Sequence, residues 1–155
     1  RLFLLLCCFA LPAQADMQTA RDAFTNGQFE KAVENLIPAA NSGNAKAEFL
    51  LGNIHTIGMG HPKNPTRGFE FYLRAASKGH VAAQLRLSRA YLNGTGTAPD
   101  PMRALLWAEL AVIGRADAAP DQVARIRKTL PPKNIKKAEK LLQDYRTYLF
   151  PLEIQ

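Results

Sequence analysis

The sequence predicts an all-α protein, an α/α solenoid of about three stacked antiparallel helix pairs with a C-terminal helical cap. Three observations lead to this fold class: a 36-residue repeat, two segments of helical periodicity in each copy, and a glycine-rich loop between them. Self-similarity at a fixed period in the thirties is typical of stacked helical repeats. A single helix pair cannot bury its own apolar face, so we expect the copies to stack.

The repeated stretch runs over residues 47–79 and returns over 83–114. Its recurring landmarks are Ala47 and Ala83, Leu51 and Leu87, Gly58 and Gly94, Gly60 and Gly96, Arg67 and Arg103, and Ala75 and Ala111. Apolar residues at helical spacing predict a first helix over 45–57. Asn64-Pro65 and Asp100-Pro101 suit the cap and first position of a second helix, which Gly79 and Gly114 close. We expect Gly52 to have a packing role, because glycine inside a helix costs about 1 kcal/mol relative to alanine.

The paired glycines, Gly58-Met59-Gly60 and Gly94-Thr95-Gly96, allow two interpretations. A G-x-G sequence can cradle a phosphate, but here it lacks a preceding strand and a third glycine. Glycine is also the preferred residue where a helix ends with a positive φ. The pattern therefore favours a helix C-cap and turn.

Together these residues resemble the Sel-one-like repeat, a relative of the tetratricopeptide repeat, over about residues 20–114. The residues that match are Ala47, Leu51, Gly52, Gly58, Gly60, Ala75, Ala76 and Gly79 in one copy, and Ala83, Leu87, Tyr91, Gly94, Gly96, Ala104, Trp107, Ala111 and Gly114 in the other. His55, Phe71 and Ser88 depart from the pattern. The resemblance implies stacked helix pairs, with Trp107 buried between repeats and His55 in the core or the groove.

The N-terminal residues have the pattern of a secretory signal peptide. One positive charge precedes the apolar run from Leu2 to Leu11, Pro12 breaks the run, and Ala13-Gln14-Ala15 resembles a cleavage site. The run is too short to span a membrane, which takes about 20 apolar residues. We predict cleavage after Ala15 and a periplasmic or secreted protein. The alternative is a lipoprotein anchored at Cys7 or Cys8, and beyond these two the chain has no cysteine for a disulfide.

The segments that flank the clear repeats complete the predicted organisation: signal peptide 1–15, repeats 16–44, 45–80 and 81–114, and cap and tail 115–155. In the first, divergent repeat we predict helices over 17–26 and 28–40, and Pro38 should kink or shorten the second. Two cap helices are predicted over 119–129 and 134–149, separated by Pro131-Pro132. Residues 150–155 are predicted to form an unstructured tail.

Motifs of catalysis are missing from the sequence, which contains no G-x-S-x-G, H-E-x-x-H or Walker pattern. We therefore predict no enzyme and no cofactor. Some proteins resembling this family have been described as β-lactam hydrolases, so a hydrolase is kept as a remote alternative, but no serine-lysine or zinc constellation in this sequence supports it. His55 and His61 lack an obvious third ligand, so no metal site is predicted. Glu70 and Glu109 are expected to lie on solvated helix faces.

Two surfaces are candidates for binding. In repeats of this type the first helices line the concave face, and the resemblance places there Lys46, Phe49, Asn53, Thr56, Leu85, Arg89 and Asn93. An aromatic, an aliphatic and several hydrogen-bonding groups suit an extended peptide or a partner helix. The alternative is that they are ordinary solvent-facing residues. Our leading hypothesis is a non-catalytic interaction scaffold or adaptor of the bacterial cell envelope, with a protein partner.

The second surface is basic. The chain has a formal charge of +7, and seven cations stand between Arg125 and Lys140 with one acid, Glu139. They are Arg125, Arg127, Lys128, Lys133, Lys136, Lys137 and Lys140, and we call them the basic patch. The patch is either a solubilising face or a binder of anionic envelope material such as lipid headgroups or acidic glycan. A nucleic acid partner is not expected, because a signal peptide directs the chain out of the cytosol.

Overall fold

The computed structural model describes residues 12–149, with side chains over 17–147. Within this range the chain forms eight α-helices and no strand, which confirms the predicted fold class. The helices are α1 Pro12–Thr25, α2 Phe29–Asn41, α3 Ala45–Ile57, α4 Pro65–Ser77, α5 Val81–Asn93, α6 Pro101–Ile113, α7 Ala119–Thr129 and α8 Pro132–Leu149. Successive helices pair as α1 with α2, α3 with α4 and α5 with α6, and both α7 and α8 pack on α6.

Two helices begin and end at the predicted residues, α3 in the first clear repeat and α7 in the cap. Helix α1 begins five residues early, at Pro12, since proline suits a first helical position, so the predicted cleavage after Ala15 falls inside it. Helix α2 is not shortened at Pro38 but continues to Asn41. Pro38 and Glu34 are both exposed, so water can bond the carbonyl of Glu34 that proline leaves free. Residues 1–11, with Cys7 and Cys8, and the predicted tail lie outside the described residues.

Side-chain caps and left-handed glycines bound the helices of both clear repeats. The Asn64 side chain accepts from the backbone N–H of Arg67, and Asp100 accepts from two backbone N–H groups of α6. Gly58 and Gly94 end α3 and α5 at φ 86° and 69°. The G-x-G pattern is thus a helix C-cap, as predicted.

Within a pair, the two helices cross at small residues. A Cβ on Gly52 would lie 2.5 Å from Cδ1 of Tyr72, so only glycine fits this crossing of α3 and α4. In the next pair Ser88 takes the place of Gly52, and its hydroxyl donates to the carbonyl of Ala104 at 2.7 Å. The departure from the repeat pattern at Ser88 is therefore a buried hydrogen bond across the crossing of α5 and α6.

Two apolar clusters form the core, one around α1, α2 and α3 and the other from α4 to α8. Trp107 belongs to the second cluster and is 5% exposed, so its predicted burial is confirmed. Its ring meets that of Tyr145 on α8 edge-on, with centroids 5.4 Å apart. The cap helix thus completes the core of the last repeat.

Candidate functional site

Two of the predicted concave residues of α3, Phe49 and Asn53, contact Tyr72 of α4. The ring centroids of Phe49 and Tyr72 are 6.1 Å apart, and Asn53 Oδ1 accepts from the Tyr72 hydroxyl at 2.9 Å. Tyr72 is 4% exposed. Burial raises the pKa of Tyr72, so its hydroxyl stays protonated and able to donate. Asn53 is therefore already engaged inside the protein, and its role includes positioning this tyrosine.

A cavity of about 210 Å³ lies between the end of α3, α4 and α5, and we call it the concave cavity. It brings together three of the predicted residues, Thr56, Arg89 and Asn93. The described residues that line it are Thr56, Phe69, Tyr72, Arg86, Arg89, Ala90, Asn93 and Thr95. Arg86 and Phe69 were not predicted from the sequence. Arg86 stands three residues before Arg89 on α5, and residues at this helical spacing share one face. The spacing could therefore have predicted that Arg86 lies beside Arg89.

The other predicted residues lie outside the concave cavity. Phe49 stacks on His80, with centroids 4.7 Å apart and planes 25° apart. Lys46 is exposed and Leu85 is half-buried. His80 caps α5, because its Nδ1 accepts from the backbone N–H of Ala83 at 3.2 Å. Burial lowers the pKa of His80, which favours the neutral ring that this acceptor role requires.

A buried ionic cluster that the sequence analysis did not predict joins the second pair to the first. The Glu48 side chain is 0% exposed. Both of its oxygens accept from Lys78 Nζ at 2.7 Å, and Arg74 lies 2.8 Å from Oε1. Arg74 also donates to the carbonyl of Ala40 at the end of α2. Because Gln84 takes the place of Glu48 in the next repeat, the cluster is specific to this pair.

The basic patch is less uniform than predicted. Arg127 donates to Glu109 at 2.7 Å and lies 3.0 Å from Glu139. Glu109, expected on a solvated face, is only 20% exposed because this arginine covers it, so that expectation was wrong. Glu70 is exposed, as predicted. The other six cations of the patch are exposed, and none of its lysines has an ion pair with any residue that the structure describes.

The histidines behave as packing residues. His55 is 2% exposed, which confirms it as a core residue. Its ring lies 4.5 Å from that of His61, centroid to centroid. Burial lowers the pKa of His55, and the charges of His61 and Arg67 lower it further. Among the described residues, no three metal-ligating side chains are grouped to hold an ion, and no helix is long and apolar enough to cross a membrane.

Comparison with known families agrees with this geometry. Residues 45–80 and 81–112, the α3–α4 and α5–α6 pairs, match the family described as Sel1 repeat. Both helix pairs are Sel1 repeats. The resemblance to the Sel-one-like repeat is thereby confirmed for residues 45–112, and these are the pairs that form the concave cavity and the buried ionic cluster.

Two solved structures share the fold. A protective antigen present in uropathogenic Escherichia coli strains, with an SLR fold, is 29% identical and superposes with a TM-score of 0.83 over 90% of this chain and 31% of its own. A Sel1 repeat protein from Oxalobacter formigenes is 25% identical, with a TM-score of 0.68 over 71% of this chain and 45% of its own.

Curated relatives include the alginate biosynthesis protein AlgK of several bacteria. The protein of Pseudomonas syringae pv. tomato is 30% identical over 72% of this chain. The proteins of Pseudomonas aeruginosa and Azotobacter vinelandii are 29% and 32% identical, over 76% and 72% of it. The chain spans only 24% to 32% of the length of these relatives.

Proposed function

We propose that this protein is a non-catalytic scaffold or adaptor of the bacterial cell envelope, which binds a protein partner through its concave face. The observation that carries the proposal is the concave cavity, where Thr56, Arg89 and Asn93 from two successive first helices meet Phe69 of α4. An apolar floor with a few convergent polar groups is the usual composition of a recognition site. Arg89 has no ion pair with a described residue, so its charge is available to a partner.

The composition of the cavity favours binding over catalysis. Its described lining contains two arginines, two aromatic rings, an amide and two hydroxyl groups of threonine, but no carboxylate, histidine or cysteine. General acid–base catalysis uses mainly histidine, carboxylate, lysine, cysteine or tyrosine groups, and the one tyrosine of this lining, Tyr72, already donates its hydroxyl proton to Asn53. Helical repeats expose extended concave surfaces to protein ligands, and the relatives named for alginate biosynthesis support a place in the assembly of an envelope polymer.

The envelope location rests on the N-terminal pattern and is tested separately. Expression of the whole gene, followed by osmotic-shock fractionation and mass spectrometry, should give a periplasmic protein that begins at Asp16. The first helix would then retain only residues 16–25. A lipid-modified N-terminus at Cys7 or Cys8 would replace this prediction with a membrane anchor, and an intact N-terminus in the cytosol would contradict both.

The binding test begins with capture of a partner protein and ends with measurement of its affinity in purified form. A partner recovered from envelope extract is purified and its affinity measured with wild type, Arg89→Ala and Asn93→Ala. Loss of one charged hydrogen bond in a desolvated site should weaken binding about tenfold or more, while circular dichroism stays unchanged. Lys63→Ala, an exposed change in the loop before α4, serves as the control. Equal affinity of all four proteins would exclude the concave face as the binding surface.

The exposed lysines of α8 favour a second candidate function, the binding of anionic lipid or acidic glycan. Lys133, Lys136, Lys137 and Lys140 are exposed and have no ion pair with a described residue, and the one acid of the run, Glu139, pairs with Arg127. Each such lysine contributes about 1 kcal/mol near an anionic membrane. Changing all four to glutamine should abolish low-salt binding to anionic vesicles or to an acidic glycan and leave the fold intact. If the wild type shows no such binding at low ionic strength, the patch is only a solubilising face.

A further inference from the structure

The outer face of α6, the second helix of the last repeat, shows how such a helix is covered in this fold. Leu106, Trp107 and Leu110 on this face are 8%, 5% and 5% exposed. The cap helix α8 packs along α6, and its Tyr145 meets the Trp107 ring. The cap helices α7 and α8 both pack on α6, and the amphipathic helix α8 supplies the ring that covers Trp107.

The same face of α4 is open. Glu70, Phe71 and Arg74 stand 36 residues before Leu106, Trp107 and Leu110. They line a groove of about 510 Å³, which we call the outer groove. Its described lining residues are Asn64, Thr66, Arg67, Glu70, Phe71 and Arg74. Among the described helices, only α3 and α5 pack extensively on α4.

The centre of the outer groove is an aromatic ring held between cations. Phe71 stacks on the buried ring of His55, with centroids 5.5 Å apart and planes 8° apart. The guanidinium carbons of Arg67 and Arg74 lie 5.9 Å and 5.6 Å from the Phe71 centroid, within the range of a cation–π interaction. The groove therefore combines an apolar centre with two basic sides.

Among the residues that the structure describes, Arg67 lacks the carboxylate partner that its counterpart on α6, Arg103, has. On α6, Arg103 pairs with the capping residue Asp100 at 3.4 Å. On α4 the capping residue is Asn64, which is neutral, and Arg67 has no ion pair with a described residue. Arg74 faces Glu48, but Lys78 already contacts both oxygens of that carboxylate. Arg67, Arg74 and Lys78 stand against Glu48 and Glu70, which also lines the groove, so the net charge is +1 (3 − 2) and favours an acidic ligand.

We infer that the outer groove is a second docking surface, which accepts an amphipathic helix of a protein partner with acidic residues beside its apolar stripe. The packing of α8 on α6 is the model for how a partner helix would lie on α4. Because Glu70 and Arg74 replace the equivalent Leu106 and Leu110, the surface of α4 is more polar and would select a charged partner. A second copy of this chain does not fit through its α8, because the lysines of α8 would face Arg67. The inference does not depend on the concave cavity, so either surface can fail in its test without the other.

The probes for the test come from the chain itself. One labelled peptide has the native sequence of residues 132–149, and the other has glutamate in place of Lys133, Lys136, Lys137 and Lys140. The protein is the full chain with these same four lysines changed to glutamine, so that its own α8 cannot attract the acidic peptide. At low salt, fluorescence anisotropy should show the acidic peptide binding at least about tenfold more tightly than the native peptide.

Matched variants locate the contact. Arg67→Gln should weaken binding of the acidic peptide about fivefold, the size of one exposed ion pair. Arg103→Gln, the equivalent change on α6, should leave affinity unchanged because Asp100 already pairs with Arg103. Both variants change exposed side chains, and equal melting curves would confirm that each is folded. Equal binding of the two peptides, or equal losses in the two variants, would overturn the inference. Arg67-dependent binding of polygalacturonate without binding of the acidic peptide would also overturn it, in favour of a glycan site.

Discussion

The buried ionic cluster around Glu48 gives the most specific stability prediction. The carboxylate is inaccessible to water, whereas its partners Arg74 and Lys78 have side chains 48% and 39% exposed. Changing Lys78 alone to methionine leaves Arg74 at 2.8 Å, so the loss should be about 1–2 kcal/mol, a charged hydrogen bond discounted for exposure. Changing both cations to methionine leaves a buried charge without a partner, which should cost about 3–5 kcal/mol.

A rescue variant separates the buried charge from simple loss of packing. Adding Glu48→Gln to the double variant removes the charge and copies Gln84 of the next repeat, where Leu110 and Gly114 stand in place of the two cations. We expect it to recover about 2 kcal/mol or more of the loss. Urea denaturation followed by circular dichroism gives these free energies of unfolding. If the double variant is no less stable than an exposed Lys63→Met control, or if Glu48→Gln destabilises it further, the assignment of a buried ionised carboxylate is wrong.

Three further predictions concern the core and the histidines. Trp107→Ala should lower the free energy of unfolding by about 3–5 kcal/mol; an unchanged melting temperature would refute its place in the core. Gly52→Ala should cost about 1–3 kcal/mol, because the new methyl group meets the Tyr72 ring, and a neutral or stabilising result in denaturation would show that the two helices can separate freely. Burial lowers the pKa of His55 and His80 in the folded state, so the unfolded chain takes up protons first, from about pH 6.5 downwards. Stability should therefore fall as the pH drops from 7 through the folded pKa values, and His80→Asn, which retains a capping side chain, should reduce that slope in urea titrations at successive pH values.

Much of the fold was predictable because its signals are local. The spacing of small and apolar residues predicts α3, and Asn64 with Pro65 predicts the beginning of α4. Gly58 ends α3 for a reason that depends only on backbone geometry. The start of α1 was missed because the apolar run and Pro12 were interpreted as a signal peptide with a break. Nothing in the sequence distinguishes a proline that ends one segment from a proline that begins a helix.

The interactions between helices were harder to predict because they depend on orientation. Glu48 is one acid in an ordinary helical segment, and its two cations come from the far end of α4, close to α2. Arg127 belongs to a basic run by sequence, yet in three dimensions it faces Glu109 of α6. The repeat pattern named three residues that the structure brings together in one cavity, Thr56, Arg89 and Asn93. The engagement of Asn53 by Tyr72 could be seen only in the packed helix pair.

Site-specific photo-crosslinking in the native bacterium tests the proposed concave binding face most directly. A photoreactive phenylalanine is placed at Asn93, an exposed residue that lines the concave cavity, and in a second strain at Ile113, which is 53% exposed on α6. The account predicts a discrete protein adduct from position 93 that disappears with Arg89→Ala, and none of the same mass from position 113. The same adduct from both positions, or an adduct at 93 that survives Arg89→Ala unchanged, would contradict binding through the concave face.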